Sequence, residues 1–226
     1  MWFRLSSTIF AVLLSLLAIW ITVAEVVRPR LAFFPIASAT SEFTTQRASA
    51  ARAAPIGGIR GDLWVDAAIT RASGLLADPS AGTAPEDRQM VESAHAAARR
   101  AAVLSPHDAR AWLLLAASDA RIEAFRERIA GPLKMSYLTG PNQADLMPTR
   151  LPLAVGSEAI ADDELQVLVQ GEVSTIVTLR PDLKPVIALA YRRAVPEGKR
   201  LIEQVLGPLD PNFTDALRAS SEPQRR

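Results

Sequence analysis

Two histidines, His95 and His107, are the residues of this sequence best suited to acid–base or metal chemistry. His95 lies two positions after Ser93. Residues i and i+2 of a helix point to different sides, so these two cannot form a nucleophile–base pair. The sequence contains no cysteine, which excludes thiolate nucleophiles, disulfides and cysteine-based zinc sites. We therefore predict no catalytic residues, no metal site and no cofactor, and a protein that is not an enzyme.

A candidate binding site lies around the turn predicted at Gly140 and Pro141. Tyr137, Asn142 and Arg150 bring a phenol, an amide and a guanidinium into one short stretch, a combination typical of ligand-binding surfaces. The structural alternative is that Tyr137 packs in the core while Asn142 caps the following helix. The sequence leaves both interpretations open, and we favour the structural one.

Other polar motifs have structural explanations. The acidic groups at 86–87 and 162–164 fall at predicted helix starts, where carboxylates cap free amides and offset the helix dipole. The glycine-rich stretch 57–61 lacks the Gly-Lys-Ser/Thr ending of a phosphate-binding loop, and no strand precedes it, which favours a plain turn. The formal net charge is +1, so the chain has no overall attraction to nucleic acid.

The N-terminus contains an uncharged run of 20 residues, 5–24. As a helix this run is about 30 Å long, the thickness of a bilayer's hydrocarbon core, and Trp2 and Trp20 mark its two ends. A cleaved signal peptide is the alternative, with small residues at 22–24. The apolar run is longer than the core of most such peptides, which favours an uncleaved anchor. The flanking charges are nearly balanced. We expect a bacterial inner-membrane protein with its N-terminus in the cytoplasm and its soluble region in the periplasm.

The remaining sequence predicts an all-α protein. Residues 1–30 are predicted to form the transmembrane anchor. Residues 31–60 are predicted to be a linker, because proline and small residues interrupt any periodicity, and one frayed helix at about 44–54 is the alternative there. Apolar residues at helical spacing predict a helical region over 61–140 and another over 141–218, where prolines open successive helices. Residues 173–178 are rich in β-branched side chains, which leaves a short strand as the alternative there. The polar tail 219–226 is predicted to be disordered.

Aromatic, leucine and small residues recur at a fixed spacing within 63–140. The residues that fit are Ala98, Ala101, Pro106, Trp112, Leu115 and Ala116, with Trp64, Ala67 and Ala68 at the opening of an earlier unit. This pattern resembles the tetratricopeptide repeat. Trp64 lies 42 residues before Pro106, where the repeat has about 28, and the surplus falls in the connection 76–86. The resemblance implies an array of helical hairpins packed through small side chains, followed by extra C-terminal helices.

Four short segments carry a second resemblance. They are LKMSYLTGPN at 133–142, LMPTRL at 146–151, AYR at 190–192 and DPNF at 210–213. These segments are similar to small membrane-anchored proteins of alpha-proteobacterial exopolysaccharide gene clusters, and the likeness covers roughly 95–217. It implies a tetratricopeptide-like accessory to polysaccharide synthesis or export, without catalytic residues to carry over.

These observations lead to one functional prediction and two alternatives. We predict a membrane-tethered helical scaffold or adaptor that supports synthesis or export of exopolysaccharide, or of another envelope polysaccharide, through protein–protein contacts. Its partners are the membrane and other envelope or polysaccharide-machinery proteins, and not nucleic acid. The first alternative is a periplasmic protein that binds or modifies glycans through the Tyr137–Arg150 region. The second is a spacer whose essential part is the membrane helix.

Overall fold

The computed structural model describes residues 2–29, 42–77 and 85–221. This part of the chain is helical and contains no strand, which confirms the all-α prediction and places 173–178 in a helix. Within it the α-helices are α1 (Trp2–Val27), α2 (Glu42–Gly57), α3 (Gly61–Ala77), α4 (Pro85–Leu104), α5 (Ala109–Asp119), α6 (Ala130–Thr139), α7 (Met147–Val155), α8 (Asp163–Leu179), α9 (Lys184–Arg193), α10 (Pro196–Leu209) and α11 (Pro211–Ser221). Short 3-10 helices cover Glu123–Arg128, Glu158–Ala161 and Pro181–Leu183.

Three predicted segments extend beyond the described residues. They are positions 31–41 of the linker, 78–84 of the connection between α3 and α4, and 222–226 of the polar tail. The rest of the segment predicted as a linker contains α2, which is rich in alanine.

Capping residues and prolines explain where several helices begin. The Asp108 carboxylate accepts a hydrogen bond of 3.0 Å from the Arg110 amide at the start of α5, and Asp162 accepts one of 2.9 Å from the Leu165 amide at the start of α8. Such carboxylates satisfy amides that have no partner within the helix. Pro196 and Pro211 occupy the first positions of α10 and α11, where a missing amide proton costs nothing.

Helices α2–α11 form the body of the protein and run in alternating directions, so their turns gather at two ends. Gly61 at the start of α3 packs against Ser105 after α4, and Gly140 after α6 packs against Ala109 at the start of α5. A Cβ atom at either glycine would overlap its neighbour, so these close contacts require glycine. Further along, Lys184 at the start of α9 contacts Asp210 after α10 at 2.7 Å.

We call this end of the body the anchor end, since α1 leaves it; it comprises the turns near 58–60, 105–108, 139–146, 180–183 and 210. The opposite end, comprising 120–129, 156–162 and 194–195, is called the far end. There the Val195 amide donates to the Val155 carbonyl at 3.0 Å, which joins α7 to the start of α10.

Two apolar clusters hold the helices together. The larger one runs through the whole body and contains many buried alanines on α3 and α4, among them Ala67, Ala68, Ala97, Ala98 and Ala101. Small side chains let neighbouring helices approach closely. The smaller cluster consists of Ala24, Ala53 and Leu63 and joins the last turns of α1 to α2 and α3.

Helix α1 differs from the other helices because most of its side chains are exposed. Within it, the segment Arg4–Val27 is long and apolar enough to cross a bilayer, and every side chain from 4 to 19 is exposed. Contact with the body begins at Trp20 and continues to Arg28, alongside the end of α2 and the start of α3. The apolar part of α1 therefore projects beyond the anchor end.

Candidate functional site

The predicted binding residues Tyr137 and Arg150 meet inside the body, together with Glu172. Arg150 extends from α7 into the space between α6 and α8, and its Nε and Nη2 donate to Glu172 Oε1 at 3.0 and 2.6 Å. The Tyr137 hydroxyl donates to Glu172 Oε2 at 2.7 Å. The guanidinium carbon lies 4.2 Å from the centre of the Tyr137 ring, a favourable cation–π distance. We call Tyr137, Arg150 and Glu172 the interior cluster.

Arg150 also binds the backbone where α6 ends. Its Nη1 donates to the carbonyls of Ser136 and Gly140 at 3.1 and 2.9 Å, and its Nη2 donates to the Pro141 carbonyl at 3.4 Å. Together with the two bonds to Glu172, these contacts use all five N–H groups of the guanidinium. The interior cluster thus joins α6, α7 and α8 and caps the carbonyls at the end of α6.

Burial governs the protonation of the interior cluster. Removal from water raises the pKa of Glu172 above its usual value, and the positive charge of Arg150 offsets part of that rise. Burial likewise raises the pKa of the Tyr137 phenol well above its ordinary range, with the Glu172 charge adding to the effect. Tyr137 therefore remains a hydrogen-bond donor at neutral pH.

The structure separates the third predicted binding residue from the other two. Asn142 is exposed in the turn after Gly140 and caps no helix, because the next helix, α7, begins at Met147. Tyr137 is 2% exposed and Arg150 is 0% exposed, so neither side chain reaches the surface beside Asn142. A binding role for these three residues stays a prediction.

Glu172 was not among the residues predicted from the sequence, although the sequence carries a signal for it. It lies on the same helix face as Val169, Val173 and Ile176, at spacings of three and four residues, and all four are buried. A single carboxylate on an otherwise apolar helix face requires a buried partner. The signal identifies Glu172 but does not identify Arg150 as that partner.

His95 pairs with an acid rather than with Ser93. Its Nε2 lies 3.0 Å from Asp119 Oδ1 at the end of α5, and its ring stacks on Phe125 with 5.1 Å between ring centres. The Ser93 hydroxyl instead donates to the Met90 carbonyl of its own helix. Burial raises the pKa of Asp119, and the neighbouring His95 opposes that rise. His95 and Asp119 thus join α4 to the end of α5.

The attachment of α1 to the body is a second candidate site. The Trp20 indole donates to the Ile56 carbonyl at 2.6 Å, so this side chain, placed at the end of the apolar run, is fixed to α2. Ala24 packs against Ala53 and Leu63 one turn further along.

Charged residues complete this attachment. Arg28 Nε donates to Asp66 at 2.7 Å, and its Nη1 lies 3.2 Å from Asp62. Arg60 contacts Asp62 at 2.7 Å and Glu25 at 3.0 Å. We call Glu25, Arg28, Arg60, Asp62 and Asp66 the junction cluster. It fixes the direction in which α1 leaves the body.

Two adjoining clefts lie towards the far end of the body. One measures about 380 Å³ and the other about 260 Å³. They share the lining residues Ala120, Pro152, Leu153 and Gly156, and the rims carry Arg121, Arg126, Arg193 and Glu158. This combination of an apolar floor and a charged rim is typical of a protein-binding surface.

Among residues 2–29, 42–77 and 85–221, no group of three His, Asp or Glu side chains is placed to hold a metal ion. Comparison with known proteins gives no relative: no family model, no curated protein and no solved structure matches this chain.

Proposed function

We propose that this protein is a membrane-tethered helical scaffold, with α1 in the bilayer and the body holding partner proteins beside it. The observation that carries the proposal is the contrast within α1. Large apolar side chains such as Phe10 and Leu13 are 63% and 59% exposed, whereas the last turns are fixed to the body by the junction cluster. Exposing so much apolar surface to water is unfavourable, and a bilayer removes that cost.

Two similar hairpins support a repeat architecture for the scaffold. In α3 the Trp64 indole donates to the carbonyl of Gly58 at 3.0 Å, and in α5 the Trp112 indole donates to that of Pro106 at 2.7 Å. Each tryptophan thus binds the residue six positions before it.

The residues three positions before each tryptophan, Gly61 and Ala109, also have equivalent contacts in the two hairpins. Gly61 in α3 contacts the end of α4, and Ala109 in α5 contacts the end of α6. We infer that α3–α4 and α5–α6 are two units of a tetratricopeptide-like array, whose common role is to present surfaces to other proteins.

The clefts at the far end are the surface that we propose for the partner. They lie opposite the projecting part of α1, so a bilayer around α1 leaves them open. Arg126 and Arg193 are exposed on the rims above an apolar floor. Such a surface suits a protein segment that carries both apolar and acidic side chains.

The resemblance of 133–142 and the three other segments supports a place in envelope polysaccharide synthesis or export. We propose that α1 spans the bacterial inner membrane, that the body lies in the periplasm, and that the partners belong to the polysaccharide machinery. The geometry favours this scaffold over the glycan-binding alternative, because Tyr137 and Arg150 lie in the interior. A reporter that is active only in the cytoplasm, fused at the C-terminus, should be inactive, and its activity would contradict this orientation.

Charge reversal at the clefts tests the scaffold. The full-length double variant Arg126→Glu/Arg193→Glu should lose the polysaccharide synthase or export proteins that co-purify with the wild type. It should also fail to restore polymer output in a deletion strain. The matched control, Arg52→Glu/Arg99→Glu, changes two exposed arginines on α2 and α4 outside the clefts and should behave as wild type.

If the wild type recovers none of these proteins and deletion leaves polymer output normal, the scaffold proposal is wrong. Extraction of membranes with alkaline carbonate tests the anchor separately: the wild-type chain should remain in the pellet, and its release would contradict a membrane-spanning α1.

A further inference from the structure

Exposed aliphatic side chains are concentrated at one end of the body. Outside α1, the described residues include six large hydrophobic side chains with high exposure, and five of them lie at the anchor end. These are Ile59 (72%), Val103 (72%), Leu138 (64%), Leu179 (73%) and Leu209 (45%). The sixth, Val167, lies in the first half of α8, towards the far end, and is 66% exposed.

The five residues share a structural position. Each lies at the end of a helix that runs towards the anchor end. Ile59 follows the last residue of α2, and the other four lie within the last two residues of α4, α6, α8 and α10. Five successive helices of the same direction therefore each present one aliphatic side chain on this face. A single exposed leucine needs no explanation, but an aligned set indicates a contact surface.

The covering partner is identified by the direction of α1. The projecting segment 4–19 extends beyond Gly58, and Trp20 lies beside Gly58 and the Ile56 carbonyl. Trp20 lies near the end of the uncharged run 5–24, so its indole marks the headgroup level when α1 spans a bilayer. Ile59 adjoins Gly58 and therefore lies at that same level.

Two further indoles lie at the anchor end. Trp64 and Trp112 donate to the carbonyls of Gly58 and Pro106, both in anchor-end turns, and both side chains are half-buried. Together with Trp20, three indoles thus bind backbone carbonyls at or next to the anchor-end turns, and indoles favour the headgroup region of membranes.

Basic residues at the anchor-end turns lie beside carboxylates. Arg60, Arg110, Arg180 and Lys184 each lie within 2.8 Å of one. Paired charges provide little net attraction to anionic lipid, so apolar insertion must supply the contact.

We propose that the anchor end of the body lies on the surface of the bilayer that α1 spans, with Ile59, Val103, Leu138, Leu179 and Leu209 inserted among the lipid headgroups. The inference rests on the proposed membrane anchoring of α1. It adds that the body stands on the membrane and holds the far-end clefts away from it. The contact requires no particular lipid charge.

Site-directed labelling of the full-length chain tests this surface, and the absence of cysteine removes any background. Single cysteines at the five positions receive an environment-sensitive fluorophore, and the protein is reconstituted into phosphatidylcholine vesicles that carry a nitroxide near the headgroup end of the acyl chain. Val167→Cys is the matched control. It is almost as exposed as Leu179, lies on the same helix, and is about 18 Å away along its axis. Leu13→Cys reports on the anchor.

Fluorescence should be lost at all five positions and retained at Val167→Cys. The loss should be greatest at Ile59→Cys, next to α1, and smallest at Leu209→Cys. Phosphatidylglycerol vesicles and high salt should give the same pattern.

Leu13→Cys lies near the middle of the span 5–24, so its quenching is measured in matching vesicles that carry the nitroxide near the methyl end of the acyl chain. Quenching at Leu13→Cys without quenching at the five positions would overturn the surface contact and leave the anchor intact. A blue-shifted but unquenched label would show that a second copy of the chain covers this end, which also overturns the proposal. Absence of quenching at Leu13→Cys would overturn the anchor and, with it, this inference.

Discussion

Arginine meets carboxylate at two places in this molecule, the interior cluster and the junction cluster. In the interior cluster the Arg150 and Glu172 side chains are 0% and 1% exposed, and hydrogen bonds occupy every N–H of the guanidinium. In the junction cluster Glu25 and Asp62 are 51% and 36% exposed, and Asp66 is buried at 2%. Water therefore competes for most charges of the junction cluster but not for those of the interior cluster.

This difference in burial assigns the two clusters different roles. A buried ion pair that loses one partner leaves the other charge without solvent, so the interior cluster must remain intact for α6, α7 and α8 to stay packed. Exposed pairs contribute little to stability. The junction cluster can therefore be weakened without unfolding the body, and its main effect is on how firmly α1 is held.

The largest effect is expected from removing the carboxylate of the interior cluster. Glu172→Leu leaves Arg150 buried without its counter-ion and should lower the free energy of unfolding by about 3–5 kcal/mol. Urea unfolding in detergent, followed by tryptophan fluorescence, to which Trp64 and Trp112 of the body contribute, measures the change. Glu172→Gln also removes the counter-charge but retains a hydrogen-bond acceptor for Arg150, so it should cost less than Glu172→Leu.

A matched substitution on the same helix provides the control. Glu164 is 81% exposed and pairs with Lys134 at the surface, so Glu164→Leu should change the unfolding midpoint little. Equal losses for Glu164→Leu and Glu172→Leu would show that burial does not distinguish these carboxylates. If Glu172→Leu does not fold, the midpoint of Glu172→Gln still tests the prediction, because it should lie below the midpoints of the wild type and of Glu164→Leu.

A smaller effect is expected from the buried member of the junction cluster. Arg28→Ala removes the donor to Asp66, and a buried acceptor that loses its partner costs about 1–3 kcal/mol. Arg28→Ala/Asp66→Asn should recover part of this loss, because the substitution removes the buried charge. Spin labels on α1 and α3 should also show a broader distance distribution in Arg28→Ala. An unchanged distribution would mean that the junction cluster does not hold α1.

The helical architecture was predictable because its signals are local. Prolines such as Pro196 and Pro211 open helices, and acids such as Asp162 cap them, which the structure confirms. The long apolar N-terminal helix was predictable for the same reason. Helix α2 was harder to predict, since its alanines show little periodicity. It packs into the core through small residues such as Ala50 and Ala54, and packing rather than intrinsic propensity stabilises most short helices.

The arrangement of the interior cluster was only partly predictable. The sequence predicts the turn at Gly140, and this turn brings Tyr137 and Arg150 near each other. Whether those side chains face water or the core depends on α8, whose Glu172 lies 22 residues after Arg150. Glu172 becomes their partner only through tertiary packing, and periodicity within a single helix contains no information about that contact.

The pH dependence of stability should distinguish the two clusters further. In the unfolded chain Glu172 titrates near its ordinary value of 4.5, and burial raises its pKa in the folded protein. Between these two pKa values only the folded protein holds the proton, so rising pH favours unfolding. The contribution of Glu172 is therefore fully present below about pH 4.5 and is lost as the pH rises through the folded pKa. The slope is at most about 1.4 kcal/mol per pH unit.

Glu172→Gln has no carboxyl to titrate and should lack this component. The difference in unfolding free energy between wild type and Glu172→Gln, measured across the same pH series, isolates it from the other acids. A difference that grows in favour of the wild type as the pH rises would mean that pairing with Arg150, and not burial, controls this carboxyl.

The smallest effect is expected for an exposed pair at the anchor end. Arg180 lies 2.8 Å from Asp182, with side chains 44% and 58% exposed, so water solvates both charges and Arg180→Ala should leave the unfolding midpoint in detergent unchanged. Asp182 would lose a partner that holds its pKa below the usual value, but it would remain solvated, unlike Asp66 after Arg28→Ala. If Arg180→Ala and Arg28→Ala lower the free energy of unfolding by the same amount, partial exposure does not distinguish surface pairs from the junction cluster. The comparison would then rest on the interior cluster alone.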